Sequence, residues 1–250
     1  MINMEILKIY NNLITETAAQ SCVRSFGKEL FAQPLGGNEP NTTLEDDYLN
    51  IISDFTDASY GDSIKPEFLA AIKNLKGCMK SYPEVLVPET TKVYRGLTLP
   101  VSEFINSKHI IDTKQLFDYT YKTPYLIQSW STSFDIASSF GNNEVLNEIA
   151  DQLDLSNYNT PQNRQELLKL VTKEGLTIAF VLEYTSNSSE FLFKSKYFKK
   201  ISANEHEEEI LRIGNKPIVV KAKFNDHEDV FLSMNGLRLI KLINLAIGEI

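Results

Sequence analysis

Hydrophobic residues in the first third of the chain recur at the spacing of α-helices. Between residues 4 and 31 they fall at steps of three and four, which is typical of a helix with one buried face. Similar stripes predict helices over residues 44–55 and 66–80, the last with Pro66 in its first turn. The pattern therefore predicts a helical leader over residues 1–85.

From residue 86 onward the pattern changes to short runs of β-branched and aromatic residues bounded by turn formers, which predict strands. The predicted strands cover residues 91–97, 127–133, 177–184, 209–213, 217–224, 230–233 and 237–242. One helical interval, 144–173, interrupts them and is broken just before Pro161. Because helices come first and strands follow without regular alternation, we predict the α+β class. No long linker separates the halves, so we expect one domain over residues 1–250.

Composition and charge narrow the function classes. The 250 residues are 42% hydrophobic and 23% charged, an ordinary mix for a globular chain. No apolar run reaches the roughly 18–20 residues of a membrane-spanning helix, so we expect no membrane partner. The 25 basic and 33 acidic residues leave a net charge of −8, which disfavours general nucleic-acid binding. The dinucleotide-binding glycine motif, the P-loop and the G-x-S-x-G elbow are all missing from the sequence.

Cysteine and histidine usage predicts a metal-free protein in a reducing compartment. Cys22 and Cys78 fit neither a metal-binding spacing nor a disulfide framework, so we interpret both as free thiols. His109, His206 and His227 have no second histidine at ligand spacing. The first residues lack the pattern of a secretory signal, and we therefore expect a cytoplasmic location.

Arg95 and Gly96 form the first motif that can carry chemistry. An arginine inside an otherwise apolar strand needs a partner or a cleft for its guanidinium. Its planar fork suits a phosphate or a carboxylate, and a neighbouring glycine lets another molecule approach the backbone. The alternative interpretation is a structural ion pair.

The second motif is the run Ser129-Trp130-Ser131-Thr132-Ser133. Alternation along a strand puts Ser131 and Ser133 on one face. A short helix closed by Gly141 is predicted to follow, and Ser133 is suited to cap it whatever the function.

Glu207 and Glu209 form the third motif. At strand spacing their carboxylates lie on one face, where they repel each other, and such a pair favours a chemical role. The alternative is a solvated acidic turn of helix, since glutamate favours helices.

Taken in this order, the motifs resemble the mono-ADP-ribosyltransferases of the arginine–serine–glutamate class. This class includes bacterial exoenzyme-type toxins and bacteriophage enzymes, and the resemblance covers residues 49–240. It implies a single ADP-ribosyltransferase domain with a helical leader and two packed, mainly antiparallel sheets that form an NAD cleft over residues 86–250. It also implies cleavage of the nicotinamide–ribose bond of NAD and transfer of ADP-ribose to a protein. The interval 142–174 is a helical insertion longer than the family's usual loop.

The resemblance assigns a role to each motif residue. Arg95 matches the arginine that holds the phosphate and ribose region of NAD, and Gly96 lies near the nicotinamide amide. Ser131 matches the serine that orients the catalytic glutamate, and Glu209 matches that glutamate. Phe140 is the candidate for the ring that stacks on nicotinamide.

Glu207 matches the first residue of the family's Glu-x-Glu pair, which goes with arginine as the acceptor. The implied partner is therefore a protein substrate in the host cell, with NAD as co-substrate, no metal and a monomeric enzyme. The alternatives that stay open are an NAD glycohydrolase on the same site and a non-catalytic interaction module. A retaining glycosidase is less well matched, because no second acidic cluster with an aromatic sugar platform accompanies the glutamates.

Overall fold

The computed structural model of the protein describes residues 77, 80, 86–123, 127–187, 191–194, 209–214, 216–227 and 230–250. The predicted leader helices lie outside these residues, apart from Gly77, which is helical, and Lys80, which is in a turn. Cys22 and Cys78 also lie outside them. Within the described ranges the chain combines α-helices with antiparallel strands, which confirms the predicted α+β class.

The described strands and helices follow one another in mixed order. The strands are β1 (Lys92–Pro100), β2 (Phe117–Tyr121), β3 (Ile127–Ser131), β4 (Thr177–Thr185), β5 (Phe191–Lys194), β6 (Glu209–Ile213) and β7 (Ile218–Phe224). The helices are α1 (Val101–Ser107), α2 (Phe134–Ser138), α3 (Glu144–Gln152), α4 (Pro161–Lys173) and α5 (Met234–Gly248), with a 3-10 turn at Leu155–Tyr158. The predicted strands that became β1, β3, β4, β6 and β7 are confirmed with small differences at their ends. The helical interval and its break before Pro161 are confirmed as α3, the 3-10 turn and α4.

The two predicted strands at 230–233 and 237–242 are wrong, because the second lies inside α5 and the first is not a strand. The hydroxyl of Ser233 accepts a hydrogen bond from the Gly236 N–H at 2.9 Å and starts the helix. The buried residues of α5 recur at helical spacing along its whole length, which the six-residue window 237–242 is too short to reveal. They are Gly236, Leu239, Ile240, Leu242, Ile243, Ala246 and Ile247. Three further elements, α1, β2 and β5, were not predicted.

The residues divide into two compact units, each built from segments that are apart in sequence. The first unit contains the described residues of Tyr121–Thr132 and Thr185–Ile218, together with those up to Val93. The second contains the described residues of Tyr94–Thr120, Ser133–Tyr184 and Val219–Ile250.

In the first unit, strand β6 pairs with β3 on one side and with β5 on the other, both antiparallel. Trp130 of β3 is buried and meets the ring of Tyr121 edge-on, with 6.1 Å between the ring centroids. Ile210 of β6 is also fully buried. This strand pair therefore has a well-packed apolar face.

In the second unit, β4 lies between β7 and β1, and β2 lies beyond β7. Residues 178–182 of β4 are all buried, which is the mark of a strand covered on both faces. Phe180 stacks on Phe104 of α1 at 4.7 Å between centroids and meets Phe224 of β7 edge-on at 6.0 Å. Helix α5 packs against α3 and α4. The core of this unit therefore forms around β4.

Candidate functional site

Ser131 and Glu209 lie directly opposite each other on neighbouring strands of the first unit. Ser131 ends β3, Glu209 begins β6, and the antiparallel register pairs their Cα positions. Positions directly opposite in such a pair share one face of the sheet, with Cβ atoms about 4.5–5.5 Å apart. Ser131 is buried. Two residues singled out from separate motifs therefore meet at one end of this strand pair.

A buried polar pair further along the same strands fixes this register. Gln128 of β3 and Arg212 of β6 are Cα partners, and each is only 1% exposed. The Arg212 Nη1 donates to Gln128 Oε1 at 3.0 Å, and Nη2 donates to the Lys216 carbonyl oxygen at 2.9 Å. The Gln128 Nε2 donates to the Gly214 carbonyl oxygen at 2.8 Å.

A slip of one residue between β3 and β6 would move every side chain of one strand to the other face. The guanidinium of Arg212 would then lose its bond to Gln128, and a buried charge without its partners is costly. The pair therefore holds Ser131 opposite Glu209. Neither residue was predicted from the sequence, although a polar side chain in the middle of an apolar strand was the signal that could have identified them.

The serine-rich motif serves two elements. Ser131 ends β3, and Ser133 caps α2 by accepting a hydrogen bond from the Ile136 N–H at 3.3 Å. The predicted cap is therefore confirmed. The Tyr121–Thr132 segment of the first unit ends here, and the chain continues into the second unit at Ser133.

Arg95 and Gly96 lie in the part of β1 that belongs to the second unit. Neighbouring positions of a strand face opposite sides, so these two residues lie on different faces of β1. Arg95 is half-buried.

The backbone of α2 and of the residue pair that follows it covers Gly96. A methyl group on Gly96 would lie 1.8 Å from the carbonyl oxygen of Ala137 and 2.5 Å from that of Phe140. No side chain fits between the strand and these carbonyl groups. The structure therefore gives this glycine a packing role, since the group that approaches its backbone is α2. The approach of a ligand to Gly96 stays a prediction from the sequence.

Phe140 lies in a tight turn, residues 139–142, that runs along β1. The Asn142 N–H donates to Thr98 Oγ1 at 3.3 Å, and Gly141 has a φ of +91°. A methyl group on Gly141 would lie 3.1 Å from the Leu97 carbonyl group. The backbone of the turn is thus held against β1, while Phe140 is 47% exposed.

The structure thus places the expected site residues in both units. Ser131 and Glu209 are partners in the first unit, and Gly96 lies against the backbone of α2 and Phe140 in the second unit. Arg95 belongs to the same strand as Gly96 but to its opposite face. Glu207 lies outside the described residues.

The described part of the chain has neither a metal-binding group of side chains nor a membrane-spanning helix. No group of three or more His, Cys, Asp or Glu side chains there could hold a metal ion. None of the described helices is long and apolar enough to cross a membrane.

We compared the chain with known protein families, curated proteins and solved structures. Neither a protein-family model nor a curated protein nor a solved structure matches this chain.

Proposed function

We propose that the protein is a mono-ADP-ribosyltransferase that uses NAD and modifies an arginine of a protein substrate. The ADP-ribosyltransferase fold, with two packed sheets around an NAD cleft, is part of this proposal, as is action in the cytoplasm of a host cell. The observation that supports it most is the β3–β6 register, because the serine and the glutamate of the resemblance are direct partners there.

The chemistry of the reaction accounts for the glutamate. Breaking the bond between the ribose C1′ and the nicotinamide nitrogen sends the electron pair to nicotinamide and builds positive charge on the ribose. This charge resembles that of the oxocarbenium-like state in glycoside cleavage. A carboxylate beside the ribose stabilises the charge more than it stabilises the neutral sugar, and so it lowers the barrier. Glu209 takes this role in the proposal, with Ser131 orienting it.

The arginine acceptor gives Glu207 its role in the proposal. An arginine side chain is protonated at any accessible pH and is a poor nucleophile. Glu207 holds the guanidinium and accepts a proton as the new bond from nitrogen to the ribose C1′ forms. The products are ADP-ribosyl-arginine, nicotinamide and the proton taken up by Glu207.

In the proposal, Arg95 and Phe140 make the remaining contacts with NAD. The Arg95 guanidinium suits the pyrophosphate, which it can hold through two hydrogen bonds. The exposed ring of Phe140 can stack on nicotinamide, since aromatic pairs of this kind gain about 0.5–1.5 kcal/mol beyond the area that they bury.

Label transfer from NAD tests the proposal. The purified protein is incubated with NAD labelled in the adenylate part, once with a lysate of bacterial cells and once with agmatine, a small guanidine. We expect labelled protein and labelled agmatine with the wild type. Glu209→Gln should lose roughly 10²–10³ in rate, the effect of removing one group that stabilises transition-state charge.

The matched control is Glu183→Gln, which changes another strand glutamate, opposite Lys221 in β4 and β7. It should keep the wild-type rate. Glu207→Ala should lose transfer but keep hydrolysis of NAD, and equal loss of both would remove its role at the acceptor. Free ADP-ribose as the sole product would make the protein an NAD glycohydrolase, and no NAD-linked activity would favour a non-catalytic interaction module.

A further inference from the structure

Asn225, which follows β7, holds the end of α2. The residue is only 2% exposed, and its side-chain Nδ2 donates to the carbonyl oxygen of Ser138 at 2.7 Å. Ser138 is the last residue of α2 and is fully buried. The last carbonyl groups of a helix have no partner within it, so this amide supplies one that buried backbone requires.

The position of Asn225 is itself fixed. Its backbone N–H donates to the carbonyl oxygen of Ala179 in β4 at 2.9 Å, and its Oδ1 accepts from the His227 N–H at 3.3 Å. Asn225 therefore connects the end of α2, through its side chain, to the central strand of the second unit, through its backbone.

Asn143 holds the other end of the turn that follows α2. It is 1% exposed, and its Oδ1 accepts from the Ala179 N–H at 3.1 Å. Its Nδ2 donates to the Val230 carbonyl oxygen at 2.9 Å. Both ends of the turn are therefore linked to Ala179 of β4, one through the backbone N–H of Asn225 and the other through the side-chain amide of Asn143.

Between these two amides the turn 139–142 keeps its backbone against β1 and leaves Phe140 47% exposed. An aromatic side chain on a fixed backbone loses little conformational freedom when a ligand stacks on it. The arrangement therefore favours a preorganised ring on which a planar group of a ligand can stack.

We infer that Asn225 is a positioning residue, which holds the turn so that the Phe140 ring can stack on the flat ring of a bound ligand. The identity of that ring, the nicotinamide of NAD, rests on the proposed function. Without the Asn225 amide the buried Ser138 carbonyl group loses this hydrogen bond, the end of α2 shifts, and the Phe140 ring leaves its stacking position.

A double-mutant cycle on NAD turnover tests the inference. Phe140→Ala and Asn225→Ala should each raise the KM for NAD by about threefold to tenfold, the range of one lost stacking contact, and change kcat little. The double variant should be no worse than Phe140→Ala alone, because Asn225 acts through that ring. The control is Asn244→Ala in α5, which removes a half-buried side-chain amide bonded to both backbone groups of Ile111 in the same unit. It should leave KM unchanged.

Two kinetic results would overturn the inference. One is that Asn225→Ala raises the KM for NAD by the same factor in the wild type and in the Phe140→Ala variant. The other is that Asn244→Ala raises this KM as much as Asn225→Ala does. If Asn225→Ala does not fold, Asn225→Asp takes its place in the cycle. It keeps the volume and the acceptor for the His227 N–H but loses the donor to Ser138.

Hydrogen exchange separates this inference from the proposed function. Amides of residues 138–142 should exchange faster in Asn225→Ala than in the wild type, while those of α4 should not change. Unchanged exchange in residues 138–142 would overturn the positioning role even in an active enzyme. A wild type without NAD-linked activity would instead overturn the proposed function, and the exchange data would still decide whether Asn225 holds the turn.

Discussion

Replacing Gly96 by alanine puts a methyl group where the backbone of α2 already lies. The new Cβ would be 1.8 Å from the Ala137 carbonyl oxygen, and Cβ contacts shorter than 3.0 Å essentially do not occur. The strand and the helix end must therefore separate by about an ångström or more. The obstacle is backbone, which cannot turn aside as a flexible side chain can.

We expect the free energy of unfolding to fall by about 3 kcal/mol or more, which is the upper end of the range for overpacked cores. For a chain of this size that corresponds to a fall of about 6–12 °C in the midpoint of thermal unfolding. The measurement is unfolding by heat and by urea, with circular dichroism as the signal that monitors it.

Gly248→Ala is the matched control, because a methyl group at that helix end would have no atom within 4 Å apart from its chain neighbours and its own helix backbone. It should leave stability unchanged or raise it by up to about 1 kcal/mol, since alanine favours helix more than glycine does. If Gly96→Ala unfolds at the same midpoint as this control, the close approach of α2 to β1 is refuted. The structural account of the Phe140 turn would then fail with it.

Two further predictions concern local anchors of the second unit. Ser133→Ala should destabilise the protein by about 1 kcal/mol, because α2 loses the hydroxyl that accepts from the Ile136 N–H, and a thermal midpoint equal to that of the wild type would contradict the cap. For Asp154, the Ser156 hydroxyl, which donates to its carboxylate at 2.5 Å, is the main cause that holds its pKa below the usual 3.8. The stability that this lowered pKa contributes is present above pH 3.8 and is lost as the pH falls through the pKa of the folded state. Asp154→Asn should therefore make the free energy of unfolding fall less steeply at acid pH than in the wild type. Parallel curves of this free energy for both proteins between about pH 5 and pH 2 would refute the prediction.

The elements that the sequence predicted well are those with a local pattern. The apolar, β-branched run of residues 209–213 ends at Gly214, and the structure has β6 over the same residues. Ser133 and the residues after it carry the signature of a capped helix, and α2 begins there. Such patterns depend on neighbours in sequence, so they can be read without tertiary structure.

Helix α5 shows where short windows fail. The stretch 237–242 is rich in Leu and Ile, and a short apolar run fits a buried strand as well as a buried helix. The cap at Ser233 and the helical recurrence of buried positions up to Ile247 decide between them, and both lie beyond the short stretch. β2 was missed although it alternates between buried and exposed residues, with Tyr119 and Tyr121 buried.

The candidate site depends on pairings that no local pattern contains. The residue types of Ser131 and Glu209 could be singled out from the sequence, but their register is held by the buried contact of Gln128 with Arg212. Gly96 is similar, because a glycine in a strand indicates a close approach without saying by what. In the structure the approaching group is the backbone of α2.

Release of nicotinamide from NAD is the most direct test of the central claim, because transfer and hydrolysis both produce it. The purified wild type should release nicotinamide, Ser131→Ala should release it more slowly, and Glu209→Gln should fall by about 10²–10³. All three proteins should show the same thermal midpoint within a few degrees, so that the loss is chemical. A Glu209→Gln variant that releases nicotinamide as fast as the wild type, or a wild type that releases none, would contradict the account.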